Sequence, residues 1–284
     1  MEKKKDRRSS VVMMAKKDDE DEPVKAKRVP VVGGNWKSNG DRDFIHEHTE
    51  KVLNKASWEN EAMTVCIAPT DIHLTEVNRE VKEDYNLMCQ NVSRWPSGAF
   101  TGNITANMMK DIGVNWALTG HSERRTKNGT TDQDVAMKTK VAIENEMMVM
   151  ACIGEGLEER EMGKADKINA RQLQAIADEL QEYQWGNVVI AYEPVWAIGT
   201  GKVATAEQAQ ETHAEIRSWL STHVSPQVAA ATRILYGGSV NAKNCKELIT
   251  CEDIDGFLVG GAALTPDFKN IIETVNTYAV EQTI

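Results

Sequence analysis

The chain lacks any apolar run near the roughly 20 residues needed to cross a bilayer, and no stretch has the order of a secretory signal. A soluble protein with no membrane partner is expected. Cysteine is scarce: five in 284 residues, at 66, 89, 152, 245 and 251, an odd number with no C-x-x-C pair. That suits free thiols in a reducing compartment better than a disulfide framework, so a cytoplasmic location is expected. The sequons at Asn91, Asn103 and Asn128 therefore carry no glycan in this reading. Basic charge is also lacking outside the first 28 residues. Those hold ten Lys/Arg against seven Asp/Glu, whereas the rest of the chain holds 23 against 36. An acidic body argues against nucleic acid as a partner, and any anionic ligand must be held by a local positive field.

What is present divides unevenly. Residues 1–28 have few large apolar side chains and two charge blocks, Lys3–Lys5 and Asp18–Glu22, and read as a disordered tail, with a localisation signal or an organelle transit peptide as weaker alternatives, the latter opposed by Glu2 and Asp6. From residue 29 to 284, short apolar runs alternate with amphipathic stretches. The runs are Val29–Val32, Met63–Ala68, Asn86–Gln90, Trp116–Leu118, Met147–Cys152, Val188–Ala191, Arg233–Tyr236 and Gly256–Val259. They are short and often β-branched, as buried parallel strands are. Between them apolar residues recur at helical spacing, as at Ala209, Thr212/His213, Ile216 and Trp219/Leu220 behind the capping box Thr205-x-x-Gln208. Eight runs alternating with helices predict a single α/β domain, a (β/α)8 barrel, with a doubly wound sheet as the rival.

A barrel demands that chemistry collect just after the strands, whose C-terminal ends open on one face. The sequence meets that demand. Gly33-Gly34-Asn35-Trp36-Lys37 follows the first run, Gly120-His121-Ser122-Glu123-Arg124-Arg125 the fourth, and Glu193-Pro194-Val195-Trp196 the sixth. Gly237-Gly238-Ser239 and Gly260-Gly261 follow the last two. A carboxylate before proline in an apolar segment can be desolvated and made more basic. His121 precedes Ser122, a candidate cap for the helical turn that follows, and a helix N-terminus disfavours imidazolium. Gly199-Thr-Gly201 imitates a nucleotide-binding loop, but no strand leads directly into it. His46-Glu47-His48 could pass for a metal site, but on a helix those side chains diverge. No metal or organic cofactor is expected.

The motifs GGNWKSNG at 33–40, GHSERR at 120–125, ACIGE at 151–155, AYEPVWAIGTGK at 191–202, YGGSVNAKN at 236–244 and DGFLVGGAAL at 255–264 make the chain closely similar to the triosephosphate isomerase family from about Pro30 onward. The resemblance implies an enzyme interconverting dihydroxyacetone phosphate and D-glyceraldehyde 3-phosphate through an enediolate. It assigns Glu193 as the base, His121 as the electrophile on the substrate oxygens, and Lys37 and Asn35 as stabilisers of negative charge. Gly199, Ser239, Gly260 and Gly261 would hold the phosphate, and Trp196–Gly201 would form a mobile lid. Glu123 and Cys152 resemble the neighbours that support the acid and the base.

Gly98–Gly102, with Thr101, resembles the loop that enters a neighbouring subunit, which implies a homodimer. Asn103, Asn128 and Thr130 depart from the family pattern near that interface and imply a weaker one. Two rivals are a different phosphate-gripping barrel enzyme and a non-catalytic protein that kept the fold. The first has no reason to carry GHSERR and EPVWAIGTG together, and the second no reason to keep Glu193 and Lys37.

Overall fold

A computed structural model describes residues 28–197 and 204–282. The expected tail, except Arg28, and Gly199 with its neighbours 198–203 lie outside the described residues. Eight parallel strands close into a barrel in chain order. They are β1 (Val31–Asn35), β2 (Thr64–Ala68), β3 (Asn86–Cys89), β4 (Trp116–Thr119), β5 (Met148–Ile153), β6 (Val188–Tyr192), β7 (Arg233–Tyr236) and β8 (Gly256–Val259). β1 closes the ring by pairing with β8, Val31 opposite Gly256. Among the described residues no helix is long and apolar enough to cross a membrane.

Alternation along each strand makes two cores. In β2, Cys66 and Ala68 point inward with Met88, Leu118, Met150, Cys152 and Leu258, filling the barrel. Val65 and Ile67 point outward into the layer shared with the helices. The barrel interior is therefore packed with side chains, which leaves the rim, where the strands end, to carry a site.

The first strand begins and ends later than its apolar run suggests. Gly33 and Gly34 read as a loop, yet both pair with β2 and β8 inside the sheet. Packing explains their identity. A Cβ on Gly34 would fall 2.6 Å from the Phe268 ring, and one on Gly33 would fall 3.0 Å from the Met150 methyl. Small residues let a helix and the barrel interior press on both faces of β1.

The helix Ala206–His223 starts on the expected box: Thr205 accepts from the Gln208 N–H, and the Gln208 side chain accepts from the Thr205 N–H. Its buried stripe includes His213, fully enclosed between Tyr192 (centroids 5.5 Å apart) and Tyr236 (6.1 Å). Nδ1 donates to the Ala209 carbonyl at 2.6 Å. Burial, the largest influence, pushes this imidazole down to about 4 from its ordinary 6.5. A base whose folded value is depressed contributes stability in full above its unfolded value, and that stability drains away as pH falls toward the folded one. Between pH 7 and pH 4.5 His213 should account for about 2–3 kcal/mol of lost stability. Urea unfolding at the two pH values checks this: His213→Gln should shallow the acid limb by that amount, and parallel limbs would contradict it.

Candidate active site

At the end of β1, Asn35 is buried and Lys37 turns the chain with a left-handed backbone, φ 56°. For a side chain bearing Cβ that conformation costs roughly 1 kcal/mol, so something must hold it. The Lys37 N–H donates to Asn35 Oδ1 at 2.9 Å, and Gln90, just past β3, donates to the Lys37 carbonyl at 2.7 Å. The same Gln90 amide donates to the Ala68 carbonyl at 2.9 Å, tying the rims of β1, β2 and β3 together. The ammonium of Lys37 then reaches Glu123 Oε1 at 2.7 Å. Partial burial works to raise the Glu123 carboxyl, but the hydrogen bond and charge of Lys37 outweigh it and hold that group below its ordinary value.

At the end of β4, Gly120 takes φ +71°, and a Cβ there would strike Val135 at 2.8 Å and the Cys152 carbonyl at 3.0 Å. The cap of the helix Ser122–Asn128 is His121 itself, not Ser122 as the sequence suggested. His121 Nδ1 accepts from the Glu123 N–H at 3.2 Å. An imidazole that accepts at Nδ1 carries its proton on Nε2 and is neutral in this arrangement. The Ser122 hydroxyl is thereby free for another task. Arg125 braces the turn, donating to the carbonyls of Gly120 (2.8 Å) and Cys152 (3.1 Å) and pairing with Asp132 (2.6 Å).

Just past β6 lies Glu193, 2% exposed. Its Oε2 accepts from the Ser122 N–H at 2.9 Å and its Oε1 from the Ser122 hydroxyl at 3.1 Å. His121 Nε2 is 3.0 Å from the same Oε1. Carboxylate and imidazole are thus directly joined, and both are anchored to the first turn of one helix. The Glu193 main chain is clamped as well. Its N–H donates to the Ile153 carbonyl at 2.7 Å, and a Cβ on Gly154 would lie 1.8 Å from its own carbonyl oxygen. Cys152 is fully buried behind it, and burial, then the Glu193 charge, push that thiol well above its ordinary value, so it stays protonated. Below, Glu155 Oε1 accepts from Tyr192 Oη and Trp196 Nε1, both at 2.9 Å, fixing the chain as it leaves toward residue 198.

Of the expected anion-holding residues, Ser239, Gly260 and Gly261 are described, each just past a strand end. Gly260 follows β8, and a Cβ on it would lie 3.6 Å from Lys37 Cε and 3.9 Å from Nζ. Gly261 is open on its outer side, and exposed Ser239 follows β7, its carbonyl accepting from Asn244 at 2.9 Å. Thr101 stands apart in an exposed loop. The structure therefore brings Asn35, Lys37, His121, Glu123, Cys152 and Glu193 together through direct bonds or packing. Ser122 and Gln90 were not singled out from the sequence as site residues. For Gln90 the available signal was its place just beyond a strand, the position that flagged the others. Among the described residues no three His, Cys, Asp or Glu side chains could hold a metal ion.

A buried carboxylate touching a neutral imidazole, with an ammonium and open glycine backbone on one rim, defines the class: barrel enzymes that move protons on small anions. The model of the triosephosphate isomerase family matches residues 30–275. The chain is 52% identical to the triosephosphate isomerase of Neurospora crassa over 242 residues, covering 85% of this chain and 96% of that one. It is 50% identical over 250 residues to the chloroplastic triosephosphate isomerase of Secale cereale, covering 88% and 83%. The Emericella nidulans triosephosphate isomerase is 48% identical over 241 residues, 85% and 96% covered. The chain belongs to the triosephosphate isomerase family.

Proposed function

We propose that this pocket performs the isomerisation its family is named for, with Glu193 as the base. The chain is an isomerase that interconverts dihydroxyacetone phosphate and D-glyceraldehyde 3-phosphate, a step of glycolysis and gluconeogenesis. The observation that carries the residue assignment is the 3.0 Å contact between Glu193 Oε1 and His121 Nε2. Glu193 takes the proton from one substrate carbon and returns it to the next, while the His121 Nε2–H serves the two oxygens. The charge that develops on the enediolate meets the Lys37 ammonium and the Asn35 amide N–H2, donors fixed before substrate arrives. Phosphate is read by the backbone N–H groups around Ser239, Gly260 and Gly261, with Gly199 closing from the lid. Lid closure would exclude water from the charged intermediate. A coupled assay with glyceraldehyde 3-phosphate tests the reading, and no turnover by the intact protein would overturn it.

The catalytic unit in this reading runs from residue 29 to 284, behind a charged segment 1–28. All five cysteines are free thiols, four of them buried, which suits a reducing compartment such as the cytoplasm. A homodimer is the proposed assembly. The loop from Ser93, whose N–H donates to the Ile104 carbonyl at 2.8 Å, carries Trp95 stacked on Phe100 at 5.4 Å. Trp95, Ile104 and Met108 are 42%, 38% and 51% exposed, apolar surface of the kind a second copy would cover. Because Asn103, Asn128 and Thr130 depart from the family pattern near the interface that the family resemblance implies, the dimer should dissociate on dilution more readily than its relatives do. Sedimentation equilibrium across a thousandfold dilution checks this. A single mass throughout would reject the weak dimer, and a monomer throughout would reject the dimer itself.

A further inference from the structure

Away from the barrel mouth, the helices Ala165–Glu179 and Ala206–His223 leave a cleft of about 220 Å³ between them. Asp166, Asn169/Ala170 and Leu173 recur at helical spacing on one side; Glu215/Ile216 and Trp219 do so on the other. Asn169, Leu173 and Ile216 are buried and form the floor, half-buried Trp219 and Ala170 form the walls, and Asp166, Lys167 and Glu215 stand exposed at the rim. The anomaly is Asn169. It is 3% exposed in the buried stripe of its helix, and neither its carboxamide oxygen nor its nitrogen has a hydrogen-bond partner among the described residues. A larger cleft of about 380 Å³ beside Ser122 offers a contrast. There Arg125 and Arg171 are both spent on Asp132, Gln172 on Gly154 and Glu159 on the Gly156 N–H.

We propose that the cleft around Asn169 binds a flat, uncharged nitrogen heterocycle presenting an amino donor beside a ring-nitrogen acceptor, an aminopurine of the adenine type. An unpaired carboxamide offers one acceptor and one donor in a plane, the pattern that such an edge complements with two parallel bonds. The Trp219 indole gives the ring a face to stack on. His223 already covers one side of that indole, at 4.5 Å and 6° between planes, so the tryptophan is held flat before a ligand arrives. The cleft falls below the roughly 300–1,000 Å³ of drug-sized sites, which limits the occupant to one ring system. At the rim the carboxylates of Asp166 and Glu215 outnumber the Lys167 ammonium, a net negative charge that disfavours a phosphate-bearing ligand. Burial foremost, then Glu211 and Asp166, raise the Glu215 carboxyl above its ordinary value.

Ligand-observed saturation-transfer NMR with the full chain tests the proposal, using adenine, adenosine, adenosine monophosphate and guanidinium as separate probes. Adenine should bind saturably, adenosine no better, and the monophosphate at least tenfold more weakly. Asn169→Leu, which keeps the volume and removes both polar atoms, should weaken adenine by roughly tenfold or more while melting no lower than the wild type. Trp219→Leu, on the opposite wall, should weaken it as well, so the proposal remains testable if one variant fails to fold. Substrate should not displace adenine, which separates this site from the barrel mouth. Absence of saturable binding, equal affinity in Asn169→Leu, or preference for guanidinium would each overturn the assignment.

Discussion

In the coupled assay, Glu193→Gln should turn over glyceraldehyde 3-phosphate about 10²–10⁴ times more slowly than the wild type, the range a positioned base contributes. Glutamine keeps the length of the side chain but cannot take a proton. It also fits the pocket poorly, because every group around this carboxylate is a donor: the Ser122 N–H, the Ser122 hydroxyl and the His121 Nε2–H. One of the two amide positions must present N–H2 to a donor, a buried conflict costing about 1–3 kcal/mol. The variant should therefore melt lower as well as react slowly. Glu193→Asp separates the two effects, since it restores the charge but withdraws it by one methylene. Its loss should lie in kcat more than in KM, because misplacement by about 1 Å can cost on the order of 10²-fold. A kcat for Glu193→Gln within tenfold of the wild type would remove Glu193 from the role of base.

Gly154→Ala should be nearly as damaging without touching a reacting group. Its new methyl would lie 1.8 Å from the Glu193 carbonyl oxygen and 2.7 Å from the carbonyl carbon, both backbone atoms with nowhere to rotate. The rims of β5 and β6 must separate to admit it. Overpacking of this kind costs about 1–3 kcal/mol and occasionally more. The displaced atoms belong to the proposed base, so turnover should fall by about 10²-fold in whatever fraction stays folded. Gly186→Ala is the matched control, since a Cβ there has no heavy atom within 4 Å outside its neighbours. Urea unfolding and the coupled assay on both variants check the claim. Wild-type activity in Gly154→Ala would mean that the strand rims are looser than their contacts imply.

The eight strands were legible because buried parallel strands announce themselves as short β-branched runs, and seven of the eight begin within a residue of where the sequence puts them while ending close by. β1 was misread at both ends for a physical reason. Gly33 and Gly34 look like a loop to any reading based on propensity, whereas what selects them is the pressure of Phe268 from one side and Met150 from the other. Such contacts between residues more than 100 positions apart leave no periodic trace. The same holds at the site. Glycines and charges after the strands marked the rim, but the helix cap went to the wrong residue of the pair His121-Ser122. Both residue types cap helices, and only the arrival of Glu193 from a distant strand end decides which is released to bind it. Gln90 went unnoticed because its partners are backbone carbonyls, which have no signature in sequence.

The pairing of β1 with β8 has a consequence for how the molecule is made. β1 ends at Asn35 and β8 begins at Gly256, so the outer edge of β1 stays unsheltered while more than 200 further residues are translated. At about 5–20 residues per second, that interval lasts at least roughly ten seconds. For that time the unpaired edge of β1 is available to neighbouring nascent chains. Co-translational handling of this protein should accordingly centre on its first strand, and aggregation should begin there when the last strand is delayed.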